Sequence, residues 1–236
     1  MNVKLQQFVL LGFSDIAAAG CRALLGVDLH YHTDAEKLNQ QIPNRDSTSF
    51  LDLGFVSCKG ETEFDNAFSP LQIINIPSKN VSLVILNCQP SSDISSQLIN
   101  WIMNLLAKNH VESLHILTAL PIAESGTDVI YEMSMFQEKS KGYPDPPTEM
   151  KTSDDIFNKL IQFIHVVKIP TSCFVVSGRK ARQGIASREE LASIQVLQTL
   201  AEELTGIKFN ILTSRELVYS ELEETHVNKE VKSMYL

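Results

Sequence analysis

Asp28, His30, His32 and Asp34 follow one another at intervals of two, a set of oxygen and nitrogen donors that could hold a metal ion. On a strand all four would share one face, and paired histidines of this spacing bind zinc. On a helix, positions two apart do not face together. The segment continues an alanine-rich helical pattern, so it reads as a helix end, and no metal ligand or cofactor is assigned. A second group stands at residues 177–182: Ser177 and Gly178 at the end of an apolar run, with Arg179, Lys180 and Arg182 beside them. A serine at a strand end next to a basic loop could hold a phosphate with the start of the next helix. The competing readings are a solvated loop and a protein contact. No nucleophile elbow, P-loop or dinucleotide-binding glycine motif is present, so nucleophilic catalysis has little support. His115 lies inside an apolar run and reads as a satisfied core histidine. His165 sits where it would complement a helix dipole.

These residues must be carried by a body, and the composition bounds it. The chain has 236 residues, 44% hydrophobic and 20% charged, which excludes wholesale disorder. Lys and Arg total 20 against 28 Asp and Glu, a net charge of −8. That balance lacks the basic footprint of nucleic-acid binding and does not favour an anionic membrane surface. Cys21, Cys58, Cys88 and Cys173 are far apart and form no C-x-x-C pair, as expected of reduced thiols in a cytoplasmic protein, with the nucleus as a second compartment. No apolar run approaches the ~20 residues of a membrane span, and no secretory signal is evident at the N-terminus.

Residues 8–13 read as a buried first strand, followed by Ser14 and Asp15 as cap-type residues and a small-residue helix running to about Leu29. Its alanines suggest close packing against a sheet or a partner. Residues 39–49 read as a loop and 50–58 as a second strand. Residues 71–76 and 81–88 form a hairpin around Pro77-Ser78-Lys79-Asn80. Residues 90–93 cap a helix whose Ile94, Leu98, Trp101, Ile102, Leu105 and Leu106 make one apolar stripe. Residues 114–120 form a buried strand and 129–135 an edge strand. Three prolines in 142–147 exclude both helix and ladder. Thr152 and Asp155 suggest a capping box for a helix to about Val167, and residues 172–177 a strand. Ser187 and Glu190 open a helix ending near Leu204, with Gly206 just past its end, before a short strand at 207–212. The expectation is a three-layer α/β single domain with a mixed sheet, residues 1–220, and a flexible tail, residues 221–236.

The tail ends Met234-Tyr235-Leu236. A tether tipped by an apolar side chain, a phenol ring and a carboxylate can enter a pocket on another protein. With this ending, the hairpin at 71–87, the Trp101 helix, the strand at 114–120 and the stretch Ile169-Pro-Thr-Ser-Cys-Phe-Val-Val-Ser-Gly-Arg179, the sequence resembles the proteasome assembly chaperones. Among them it is most similar to the first subunit of the heterodimeric α-ring chaperone. The resemblance implies a fold similar to nucleoside phosphorylases, no enzymatic activity and no cofactor. It also implies pairing with a second chaperone subunit, and Met234, Tyr235 and Leu236 as ligands of a pocket between proteasome α subunits that promotes α-ring assembly. Two alternatives stay open. One is a nucleoside phosphorylase- or hydrolase-like enzyme with a phosphate near Ser177, Arg179 and Arg182. The other is an interaction domain with an unrelated partner.

Overall fold

The computed structural model describes residues 3–15, 18–40, 71–87, 90, 92–122, 129–147, 154–178 and 188–210. The strands are β1 Phe8–Phe13, β2 Glu36–Gln40, β3 Leu71–Ile76, β4 Val81–Leu86, β5 Ser113–Leu120, β6 Ile130–Met135 and β7 Thr171–Ser177. The helices are α1 Ala19–Leu25, α2 Ser92–Lys108, α3 Asp155–Val167 and α4 Arg188–Thr205. The strands form one seven-stranded mixed sheet in the order β2-β3-β4-β1-β5-β7-β6. β4, β1, β5 and β7 are parallel. β2 and β3 at one side and β6 at the other run antiparallel to their neighbours.

The continuous apolar runs become central strands because the sheet is covered on both faces. On one face α2 and α3 lay Leu98, Ile102, Leu106, Phe157, Leu160 and Ile164 over Val9, Leu11, Phe13, Val84, Ile116 and Val175. On the other, α1 and α4 lay Ala19, Ala23, Leu24, Leu197 and Leu200 over Leu10, Leu83, Leu117, Phe174 and Val176. This is the expected three-layer α/β architecture, with the hairpin, the Trp101 helix and the Gly206 terminus where the sequence places them. Gly206 adopts φ +67° and donates its N–H to the Glu202 carbonyl at 2.7 Å.

Four local readings differ. Helix α1 starts at Ala19 and stops at Leu25, four residues before Leu29. Beyond it Val27 bridges to Phe209 and Asp28 donates its N–H to the Lys208 carbonyl, so tertiary pairing takes the chain away from the helix. Asn39 and Gln40, expected in a loop, belong to β2, a polar strand recruited by the free edge of β3. The N-cap of α3 is Asp154, which accepts from the Phe157 N–H at 2.8 Å. Residues 207–210 carry that single bridge instead of a strand. Cys58, Cys88, Thr152, Ser187 and the expected strand at 50–58 lie outside the described residues.

The alanine-rich start of α1 packs on the sheet at backbone contact. A Cβ on Gly12 of β1 would stand 2.4 Å from the Gly20 carbonyl oxygen, and one on Gly20 would stand 2.1 Å from that of Leu117. Both neighbours are main chain and cannot swing aside. Gly20→Ala should therefore destabilise the fold by about 2 kcal/mol or more, although alanine in a helix interior is otherwise favoured over glycine by about 1 kcal/mol. Urea denaturation measures this, and an unchanged or raised midpoint would refute the backbone contact.

Candidate functional site

Ligands of open α/β sheets bind beyond the carboxyl ends of the parallel strands. Here that edge begins with Asp15, which leaves β1 and is 2% exposed. Its Oδ1 accepts from the Ala19 N–H at 2.8 Å. Its Oδ2 accepts from the N–H groups of Gly20 at 3.2 Å and Ala119 at 2.7 Å, and from the Thr118 hydroxyl at 3.2 Å. The chain's own carboxylate thus fills the place from which the first N–H groups of α1 could hold an anion. A phosphate there would have to displace a fully bonded charge.

Ser177 closes the other end of the same edge. Its hydroxyl donates to the Ile122 carbonyl at 3.4 Å, and its carbonyl accepts from the Ser193 hydroxyl at 3.1 Å. Gly178 donates its N–H to Leu120 at 2.9 Å. The described histidines lie toward the opposite strand edge. His115 pairs in register with Ser172, five residues before Ser177 and therefore about 16 Å away along the strand. No imidazole among the described residues is in reach of the Ser177 hydroxyl. Arg179, Lys180 and Arg182 lie outside the described residues.

The structure separates the Asp28–Asp34 set into local bonds. Asp28 accepts from the N–H groups of His30 and Tyr31 at 3.0 and 3.1 Å. His32 is buried, and its Nε2 accepts from the Lys208 N–H at 2.9 Å, so its proton is on Nδ1. Burial lowers its pKa, with Lys79 adding to the effect against the opposing charges of Asp34 and Asp28. Asp34 accepts from the Ser78 N–H at 2.7 Å, a bond that lowers its own pKa. These groups organise the turns after α1, and among the described residues no three His, Cys, Asp or Glu side chains could hold a metal ion. Cys21 and Cys173 are buried thiols, and burial raises the Cys173 pKa.

Sequence reasoning missed Glu132. It lies on edge strand β6, fully buried, and faces inward. Its carboxylate accepts from the Ser140 N–H at 2.6 Å, the Lys141 N–H at 3.1 Å and the hydroxyls of Ser140 and Ser172 at 3.0 and 3.1 Å. Burial opposes its charge, but those bonds outweigh burial and hold the pKa below its usual value. An inward charge on an edge strand blocks pairing with a further strand, and the sequence signal for it is a glutamate in mid-strand, on the face it shares with Ile130 and Ser134.

His115 is buried as expected, stacked on Phe8 and Phe174 with ring centroids 4.3 and 5.7 Å away. It is satisfied on one side. Nε2 bonds the Ser113 hydroxyl at 2.8 Å, while buried Nδ1 has no partner among the described residues. His165 is exposed in the last turn of α3, its ring edge-to-face with Phe136 at 5.5 Å.

Met234, Tyr235 and Leu236 lie outside the described residues, so the arrangement rests on the body of the chain: a three-layer α/β/α protein whose β1–α1 corner is closed by its own carboxylate. No protein-family model matches the sequence, and no curated protein does. Solved structures do match. A protein of unknown function from Thermoplasma acidophilum aligns over 98% of this chain and 92% of its own, with a TM-score of 0.68 and 13% identity. PbaA of Pyrococcus furiosus, an archaeal homolog of proteasome-assembly chaperone, aligns over 99% and 98%, with a TM-score of 0.61 and 14% identity. PbaB of the same organism, an archaeal proteasome activator, aligns over 98% and 96%, with a TM-score of 0.58 and 8% identity. Over its described residues the chain shares the fold of these proteins.

Burial holds His115 neutral, with the Glu132 charge opposing weakly, and its pKa falls to about 4. In the unfolded chain an imidazole takes up its proton near pH 6.5. The unfolded state therefore binds more protons between these values, and stability falls as pH drops through that window. The expected loss is about 2 to 3 kcal/mol between pH 7 and pH 4. His115→Phe, which keeps the ring stack, should flatten the slope between about pH 5.5 and pH 7, above the range in which the Glu132 carboxyl of the unfolded chain takes up its proton. Denaturation curves across this range measure it, and an equal slope in the variant would exclude His115 as its source.

Proposed function

We propose that this protein is a proteasome assembly chaperone without enzymatic activity. The observation that carries the reading is the full-length likeness of fold to an archaeal homolog of proteasome-assembly chaperone, in a chain whose sequence ends Met234-Tyr235-Leu236. In this reading residues 1–220 form the chaperone body and 221–236 a tail that delivers its tip into a pocket between proteasome α subunits. The Leu236 carboxylate pairs with a pocket lysine, the Tyr235 ring is buried with its hydroxyl bonded, and Met234 fills an apolar slot. The body works as a heterodimer with a second chaperone subunit, in the position of the first subunit, and promotes α-ring assembly in the cytoplasm and nucleus. The bonded Asp15 and Ser177 support the non-enzymatic reading, because neither is offered to a substrate.

Removing residues 234–236 from the full chain should abolish capture of α subunits and leave the thermal transition in place. Tyr235→Ala should weaken binding by about 2 kcal/mol, close to thirtyfold. Capture of α subunits by the truncated chain at full strength would defeat the mechanism. Millimolar phosphate or nucleoside should leave the melting temperature unchanged, whereas a ligand of the folded state would raise it.

A further inference from the structure

The N-terminal segment crosses the lower end of the α2–α3 face and is tied there. The Asn109 side chain accepts from the Leu5 N–H at 2.9 Å and donates to the Val3 carbonyl at 3.2 Å, and Asn75 donates to the Lys4 carbonyl at 2.8 Å. Between this segment and α2 lies a groove of about 540 Å³. Val3, Trp101 and Leu105, all half-buried, form its apolar floor, and exposed Lys4 and Lys108 stand on its rim. Neither ammonium has an ion-pair partner among the described residues, in a chain of net charge −8. The groove fits an extended segment with apolar side chains flanked by carboxylates.

The topology selects which segment. Gln40 and Leu71, which bound residues 41–70, stand level with Leu86 at the carboxyl end of the parallel strands. Residues 88–89, 123–128 and 179–187 follow the ends of β4, β5 and β7 at that same edge, and 148–153 lead to Asp155, bonded to Ser95 in the first turn of α2. The groove lies at the opposite edge, where Lys4 precedes β1 and Lys108 precedes β5. The chain after Asn210 leaves from that edge: Asn210 donates its N–H to Gly26 beyond the end of α1, at 2.7 Å. Residues 216–224 read Glu-Leu-Val-Tyr-Ser-Glu-Leu-Glu-Glu, two leucines and a tyrosine among four carboxylates. Glu224 is fourteen residues past Asn210 and can reach about 48 Å, more than the roughly 30 Å across a helix, a sheet and a second helix.

We propose that residues 216–224 dock in the Trp101 groove of their own chain, with Glu221, Glu223 and Glu224 facing Lys4 and Lys108. Docking shortens the tether to the twelve residues 225–236 and anchors its root beneath α2. The inference stands on the groove, its charge and the topology, whatever partner the last residues enter.

Trp101 is the sole tryptophan of the chain and lies in the groove, so its emission reports occupancy. Hydrogen exchange of residues 216–224 reports the other side of the contact. In the full chain these amides should exchange more slowly than in an unstructured peptide. Lys4→Glu with Lys108→Glu should speed their exchange on the order of tenfold and leave Trp101 more open to acrylamide quenching. Glu221→Lys, Glu223→Lys and Glu224→Lys together should do the same, and combining both sets should restore slow exchange. If the glutamate variant loses its thermal transition, Lys4→Gln with Lys108→Gln provides the same readouts. Unprotected amides in the wild-type chain would overturn the proposal. So would protection that rises with protein concentration alongside a dimer mass, since the occupant would then be a second copy.

Discussion

The seat of α1 on the sheet is the constraint on which the rest of the structure depends. Gly12 and Gly20 bring helix and strand to backbone contact, and the Asp15 carboxylate ties the helix start to β5 through Ala119. A carboxylate with four donors among the described residues, in a site 2% exposed, is a strong lock, because loss of any partner leaves a buried polar group unpaired. It also settles chemistry: the corner where an α/β protein would hold an anion is already occupied from within.

The same logic recurs across the molecule. Glu132 faces inward and binds the turn at Ser140 and Lys141 to β7 through Ser172. His32 uses its free nitrogen to hold the chain after α4, and Ser95 and Lys159 both meet Asp155 where α2 and α3 adjoin. Residue types that elsewhere act as acids, bases or ligands serve here as architecture. Large apolar side chains left exposed include Phe136 and Val166, at the foot of α3.

The sequence by itself determined the central elements. β1, β3, β4, β5 and β7 are continuous apolar runs because both faces of the sheet are covered, and such runs announce themselves without neighbours. The stripe on α2 and the glycine past α4 are equally local, since helical periodicity and a positive φ need no tertiary partner. Tertiary structure alone decided the rest. β2 is polar and exists because β3 offers an open edge. α1 ends early because Val27 and Asp28 find partners some 180 residues away in the chain. Asp15 is locally a cap, and its bond to Ala119 is invisible until β5 lies beside β1. The groove, too, arises only where the start of the chain meets the end of α2. Local pattern reports what a residue prefers, whereas contact across a hundred residues reports what the folded chain leaves available to it.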